Sequence, residues 1–117
     1  MEEKRRFLRF DVLLNIEFKT PEGRDYYTAG LMRNFSRQGL SFITQQTNLS
    51  PNQDLELKFK LPNKDVLVAC RGEIVWEEDK GKNSLVGIRL KEMDPYAKSE
   101  ILEYAYNKWL TKMRDNN

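Results

Sequence analysis

The 117-residue sequence predicts a mainly β fold, a six-stranded antiparallel barrel closed by a C-terminal helix. Three observations lead there. Apolar residues alternate with polar ones at period two in several short segments. The segments are separated by short polar turns, which join antiparallel neighbours. The period changes to a helical one only once, after Asp94-Pro95. Six short strands in a small chain favour closure, because an open sheet would leave unpaired edges.

The first strand starts at Phe10, where Phe10, Val12, Leu14, Ile16 and Phe18 alternate with polar residues and only Leu13 breaks the pattern. Pro21-Glu22-Gly23 supplies a turn, and Tyr26 to Asn34 reads as the returning strand. Leu40 and Phe42 mark a brief third strand. Beyond a polar loop through Asn48, Ser50 and Asn52, Leu55, Leu57, Phe59 and Leu61 form the fourth. After Pro62-Asn63-Lys64-Asp65 comes the longest strand, from about residue 65 to 77. Val66, Val68, Cys70, Ile74 and Trp76 share one of its faces, and Gly72 falls where a barrel strand bends or bulges. Val86, Ile88 and Leu90 form the sixth. Asp94 is then an N-cap with proline at the first helical position, opening an amphipathic helix over about 94–114. Its stripe of Ile101, Leu102, Ala105, Trp109, Leu110 and Met113 can face the barrel or a second subunit, which leaves a homodimer open.

Composition bounds the function. The chain has 20 Lys plus Arg against 18 Asp plus Glu, no His and one Cys. Lacking histidine, it has neither a Ser-His or Cys-His nucleophile pair nor an imidazole metal ligand. A single cysteine builds neither an internal disulfide nor a Cys-rich zinc site. The paired carboxylates, such as Glu77-Glu78-Asp79, sit at turns or termini without the apolar setting that raises a pKa for acid catalysis. A binding protein is expected, with no catalytic residues, no metal and no cofactor. No apolar run nears the roughly 18 residues of a membrane span and no signal-peptide pattern follows the charged N-terminus, so a cytoplasmic single domain with no membrane association is expected.

Two segments exceed what a fold requires. In Lys4-Arg5-Arg6-Phe7-Leu8-Arg9 four cations precede the first strand, and Arg5 and Arg9 share a side of an extended arm. Guanidinium suits phosphate, because its planar fork donates two parallel hydrogen bonds; it also pairs with the O6/N7 edge of guanine or stacks on a purine. The bland alternative is a solvated basic tail. In Asn34-Phe35-Ser36-Arg37-Gln38-Gly39, Asn34 and Ser36 lie two apart and place an amide and a hydroxyl on one face. Gly39 permits a positive φ or a close backbone approach. Here the bland alternative is a hairpin whose side chains bond their own backbone.

Together the segments resemble the signature of the PilZ domain family, R-x-x-x-R followed by D/N-x-S-x-x-G, and both halves match in full. The resemblance continues through Gly72-Glu73-Ile74-Val75-Trp76 and Val86-Gly87-Ile88-Arg89-Leu90 into the helix, covering nearly the whole chain. It implies a PilZ-like, split-barrel type fold that binds the bacterial second messenger cyclic di-GMP. Residues 1–9 would be a flexible ligand-binding arm that rearranges over the ligand, and residues 10–117 the barrel with its helix. The implied ligand residues are Arg5, Arg6, Arg9, Asn34, Ser36 and Gly39, with Lys4 and Arg37 as additional candidates. Arg5 and Arg9 would clamp phosphate and guanine, Asn34 and Ser36 would read a guanine edge or phosphate, and Gly39 would keep that surface clear. Because family members with a basic residue just before the arginine motif tend to take an intercalated pair of ligands, Lys4 makes the resemblance imply two ligands per chain.

The implied role is a receptor or adaptor that relays the signal to an effector protein in motility, pili, exopolysaccharide production or transcription. One alternative is a small barrel binding single-stranded nucleic acid, which the near-neutral net charge of +2 disfavours. Another is a ligand-independent adaptor, whose usual mark is a lost arginine or Asn-Ser-Gly motif. Trp76 and Trp109 lie on apolar stripes and are expected in the core, and Arg33, Arg71 and Arg89 on solvated faces. Cys70 is expected as a buried small hydrophobe.

Overall fold

The computed structural model describes residues 9–21, 27–45, 49–61, 64 and 66–115. Lys4, Arg5 and Arg6 of the arm, Glu22-Gly23 with Tyr26, and Pro62, Asn63 and Asp65 lie outside these. Six strands and one helix follow in chain order: β1 (Phe10–Lys19), β2 (Thr28–Phe35), β3 (Gly39–Thr44), β4 (Asp54–Lys60), β5 (Leu67–Asp79), β6 (Ser84–Glu92) and α1 (Pro95–Asp115). All strand pairs are antiparallel, and they close into a barrel in the order β1-β2-β3-β6-β5-β4. Closure comes from β1 against β4, where Glu17 faces Lys58 and Phe18 faces Leu57.

The alternating apolar residues turn inward as the period-two pattern requires. Phe18, Met32, Phe35, Phe42, Leu57 and Ile74 are fully buried, and the rings of Phe18 and Phe42 lie 4.8 Å apart. Each such side chain contributes about 1.5–3 kcal/mol, against at most about 1 kcal/mol for an exposed ion pair such as Lys91–Asp54 at 3.0 Å. The inner layer therefore governs closure. Cys70 belongs to it, and burial pushes its thiol up to about 11, the behaviour of an inert hydrophobe.

A break in register redirects a side chain in β5 but not in β1. In β1 the pairing shifts between Asp11 and Leu14, while the alternation continues through it and leaves Leu13 on the outer face at 63% exposure. In β5, Ile74 pairs with Ile88 but Trp76 pairs with Gly87, so β5 carries one extra residue there. This bulge corrects the expected core position of Trp76, which is 39% exposed. Val66, expected on the same inward face, is also exposed.

The helix begins as its sequence predicts. Asp94 Oδ2 accepts the Ala97 N–H at 3.0 Å, capping the first turn behind Pro95. Ala97, Ile101 and Ala105 are buried, and α1 rests against β1 and β2. Past Ala105 full burial ends, and Trp109, expected in the core, is 45% exposed, with Tyr106 and Met113 beside it at the surface. No helix among the described residues is long and apolar enough to cross a membrane.

Candidate functional site

The connection from β2 to β3 is a tight turn organised by Ser36. Its backbone N–H donates to the Gly39 carbonyl at 2.8 Å. Its hydroxyl donates to the same carbonyl and accepts the N–H groups of Gln38 and Gly39, all three at 3.3 Å. A hydroxyl has one donor and two acceptor positions, and here all are occupied by the turn itself. The bland alternative thus describes Ser36 as it stands. The turn is sutured to β6 by the Leu90 N–H donating to the Gln38 carbonyl at 2.8 Å.

Gly39 is glycine because β3 crowds β6. A Cβ there would lie 2.0 Å from the Ile88 carbonyl oxygen, and its φ is not in the left-handed region, so close approach and not a positive φ explains the residue. Asn34 and Ser36 do not share one face. Strand alternation ends at Phe35, and Ser36 faces the cleft above β6 while Asn34 lines a neighbouring groove with Arg33 and Tyr104.

What joins the two motifs is Arg9. The pairing of Phe10 with Phe35 and Asp11 with Asn34 brings the end of the arm beside the end of β2. There Arg9 Nη2 donates to Asn34 Oδ1 at 3.3 Å. Arg9, Ser36 and Gly39 line one cleft of about 280 Å³ together with Trp76, Gly87 and Arg89, the last of which pairs with Gly39 across β3 and β6. The indole lies flat on Gly87, where a Cβ would stand 2.1 Å from Trp76 Cε2. Arg89 is steadied by donating to Glu73 Oε1. Arg37 is exposed on the turn and does not line this cleft. Lys4, Arg5 and Arg6 lie outside the described residues.

Trp76, Gly87 and Arg89 thus join the candidate site; the alternation pattern placed Trp76 in the core and Arg89 on the solvated face where it stands. A glycine in the middle of β6, opposite a tryptophan, was the available signal, because an interior strand glycine often marks a close approach. The cleft offers an exposed aromatic face, two guanidinium groups and a turn whose N–H groups point at one oxygen. That combination suits a planar, anionic ligand able to accept paired hydrogen bonds.

The comparisons with known proteins bear on the fold and the family. The family model described as PilZ domain matches residues 3–107. Against curated proteins the sequence has no significant match. Among solved structures, the inhibitor of motility MotI/DgrA of Bacillus subtilis superposes with a TM-score of 0.78 at 17% identity, covering 95% of this chain and 54% of that one. This chain therefore spans about half the length of MotI. The PilZ domain of YcgR from Escherichia coli, solved with c-di-GMP, gives 0.74 at 8% identity over 98% and 99% of the two chains. The PilZ domain of CeSA from a cellulose-synthesizing bacterium gives 0.57 at 10% identity over 86% and 96%. At such identities the likeness is one of fold, and the family match over most of the sequence supplies the remainder: the chain belongs to the PilZ domain family.

Proposed function

We propose that the chain is a cytoplasmic receptor that binds cyclic di-GMP in the cleft between the β2–β3 turn and β5–β6, without turnover, and relays the signal to a protein partner. The observation that carries this reading is the meeting of Arg9 with Asn34 at the cleft that Ser36 and Trp76 line. The ligand's two phosphodiesters match the guanidinium groups, and a guanine presents O6 and N7 to an arginine fork or its face to an indole. Trp76 supplies the stacking wall. The Gln38 and Gly39 N–H groups reach the Ser36 hydroxyl at 3.3 Å, longer than a well-formed N–H···O bond, so a ligand oxygen can compete for them.

At about 280 Å³ the cleft lies at the lower end of ligand-pocket volumes, roughly 300–1,000 Å³. The rest of the ligand falls to Lys4, Arg5 and Arg6, which precede Arg9 in the chain and fold over it as an arm. Lys4 favours an intercalated pair of ligands. The YcgR domain with c-di-GMP and the motility inhibitor MotI share the fold, which supports a receptor of this ligand whose output is motility.

Titration calorimetry with cyclic di-GMP, beside cyclic di-AMP and GTP, tests the proposal. Saturable heat with cyclic di-GMP alone, at two ligands per chain and weakened by Arg9→Ala, is the expected result. An absence of heat with the native chain overturns the receptor reading, and one ligand per chain overturns the pair.

A further inference from the structure

Two grooves run along the outer half of α1, one on each side of Lys108 and Lys112. The larger, about 980 Å³, is walled by Phe10, Tyr106, Trp109 and Met113. Its rings form one cluster, with centroids 6.1 Å apart for Phe10–Tyr106, 6.5 Å for Phe10–Trp109 and 5.8 Å for Tyr106–Trp109. The smaller, about 470 Å³, runs over Val12, Leu13 and Tyr104 beside Arg33. Exposed apolar side chains gathered this way, rimmed by charge, mark an interaction surface.

The charge on this face is unbalanced. The two grooves are lined by the cations Arg9, Arg33, Lys108 and Lys112 against the carboxylates Asp11 and Asp115. Among the described residues Arg33, Lys108 and Lys112 form no ion pair, and the Lys108 ammonium instead sits 5.6 Å from the centre of the Tyr104 ring.

We propose that the α1–β1 face docks an acidic protein segment carrying apolar or aromatic anchors. The anchors enter the groove between Phe10 and Trp109, where most of the binding energy lies, and carboxylates meet Arg33, Lys108 and Lys112, which set the encounter rate and its salt dependence. Concave channels suit a chain segment better than the flat surface of a bilayer. Asp11, which lines both grooves, interrupts their positive charge, which suits separated carboxylates better than a continuous phosphate backbone. Arg9 lines the ligand cleft and the larger groove alike, so one side chain touches both surfaces. That docking is the receptor's output rests on the cyclic di-GMP reading; the docking itself does not.

The test is fluorescence anisotropy with a fluorescein-labelled amphipathic peptide bearing Glu on one helical face and Leu and Phe on the other, against its Lys-for-Glu counterpart. The acidic peptide is expected to bind saturably, more weakly as salt rises, and at least tenfold more weakly to Lys108→Glu/Lys112→Glu and to Trp109→Ala, while the Lys peptide does not bind. No saturable binding of the acidic peptide, equal binding by the variants or by the Lys peptide, or pelleting of the native chain with phosphatidylglycerol vesicles through the same lysines overturns the proposal. Calorimetry with cyclic di-GMP on the same preparations separates the two readings. Peptide binding without ligand heat removes the receptor reading alone, and ligand heat without peptide binding removes the docking surface alone.

Discussion

Arg9 and Asn34 stand 25 residues apart in the chain and 3.3 Å apart in space, the guanidinium donating to the side-chain amide oxygen. The bond is exposed and contributes little to stability. Its weight lies in placement, because it holds a cation from the arm at the lip of the cleft lined by Ser36, Gly39 and Trp76.

Replacing Arg9 with Ala is therefore expected to spare the fold and weaken the ligand. A hydrogen bond to a charged group is worth about 1.5–3 kcal/mol, so the dissociation constant for cyclic di-GMP should rise roughly 10- to 100-fold while the melting temperature of the free protein stays within about 2 °C. Arg9→Lys keeps the charge without the fork and should recover only part of the loss. Calorimetry and thermal denaturation of the same samples read both quantities.

Trp76 should behave as a stacking wall. Trp76→Ala is expected to cost about 1–3 kcal/mol of binding, with Trp76→Phe intermediate. Gly87→Ala drives a methyl into the indole, 2.1 Å from Cε2, and should displace the ring and weaken binding. The near-ultraviolet circular dichroism of the tryptophan is the check, and an unchanged spectrum and affinity in Gly87→Ala would contradict the packing.

The turn residues should show up first in stability. At Gly39 an added Cβ meets backbone, the Ile88 carbonyl at 2.0 Å, which cannot rotate away. Gly39→Ala is expected to cost on the order of 3 kcal/mol, a melting temperature lower by more than about 10 °C. Ser36→Ala leaves two N–H groups without their side-chain acceptor and should cost about 1–2 kcal/mol. Denaturant titration measures both.

Alkaline pH should destabilise the barrel through Cys70. Burial raises the folded thiol from 9.0 to about 11, so between these values the unfolded chain has lost a proton that the folded chain keeps. Stability falls as pH rises through this window, by a total of about 2–3 kcal/mol at roughly 1.4 kcal/mol per unit. Cys70→Ala should flatten that part of the stability profile, whatever it costs at neutral pH. Alkylation of the native protein at pH 8 should likewise be far slower than of the unfolded chain.

The strands were legible because alternation is a direct image of a wall with one wet face and one dry face. Phe18, Leu57 and Ile88 are inward where the period puts them. A single extra residue is invisible to that reading. The β5 bulge after Ile74 reverses Trp76, and nothing in Val75-Trp76 announces it without the facing Gly87. The same holds for α1, whose stripe is continuous through Trp109 although full burial ends at Ala105 and Trp109 meets β1 edge-on at Phe10. Within the candidate site, Arg9, Ser36 and Gly39 could be named only through the resemblance to the PilZ signature, and the reasons could not. The Ser36 hydroxyl serves its own turn and Gly39 serves the β3–β6 approach, facts of tertiary packing that a motif does not carry.

Barrel closure has a temporal consequence. Arg9 enters the ribosomal tunnel's exit long before Trp76 and Arg89, and the walls of the cleft meet only when β6 has paired with both β3 and β5. A half-made chain has the arginine and the turn but lacks Trp76 and Arg89. The cleft therefore belongs to the finished molecule alone, so that any ligand of the cleft stabilises the completed barrel against every partly assembled form by mass action and offers nothing to the intermediates.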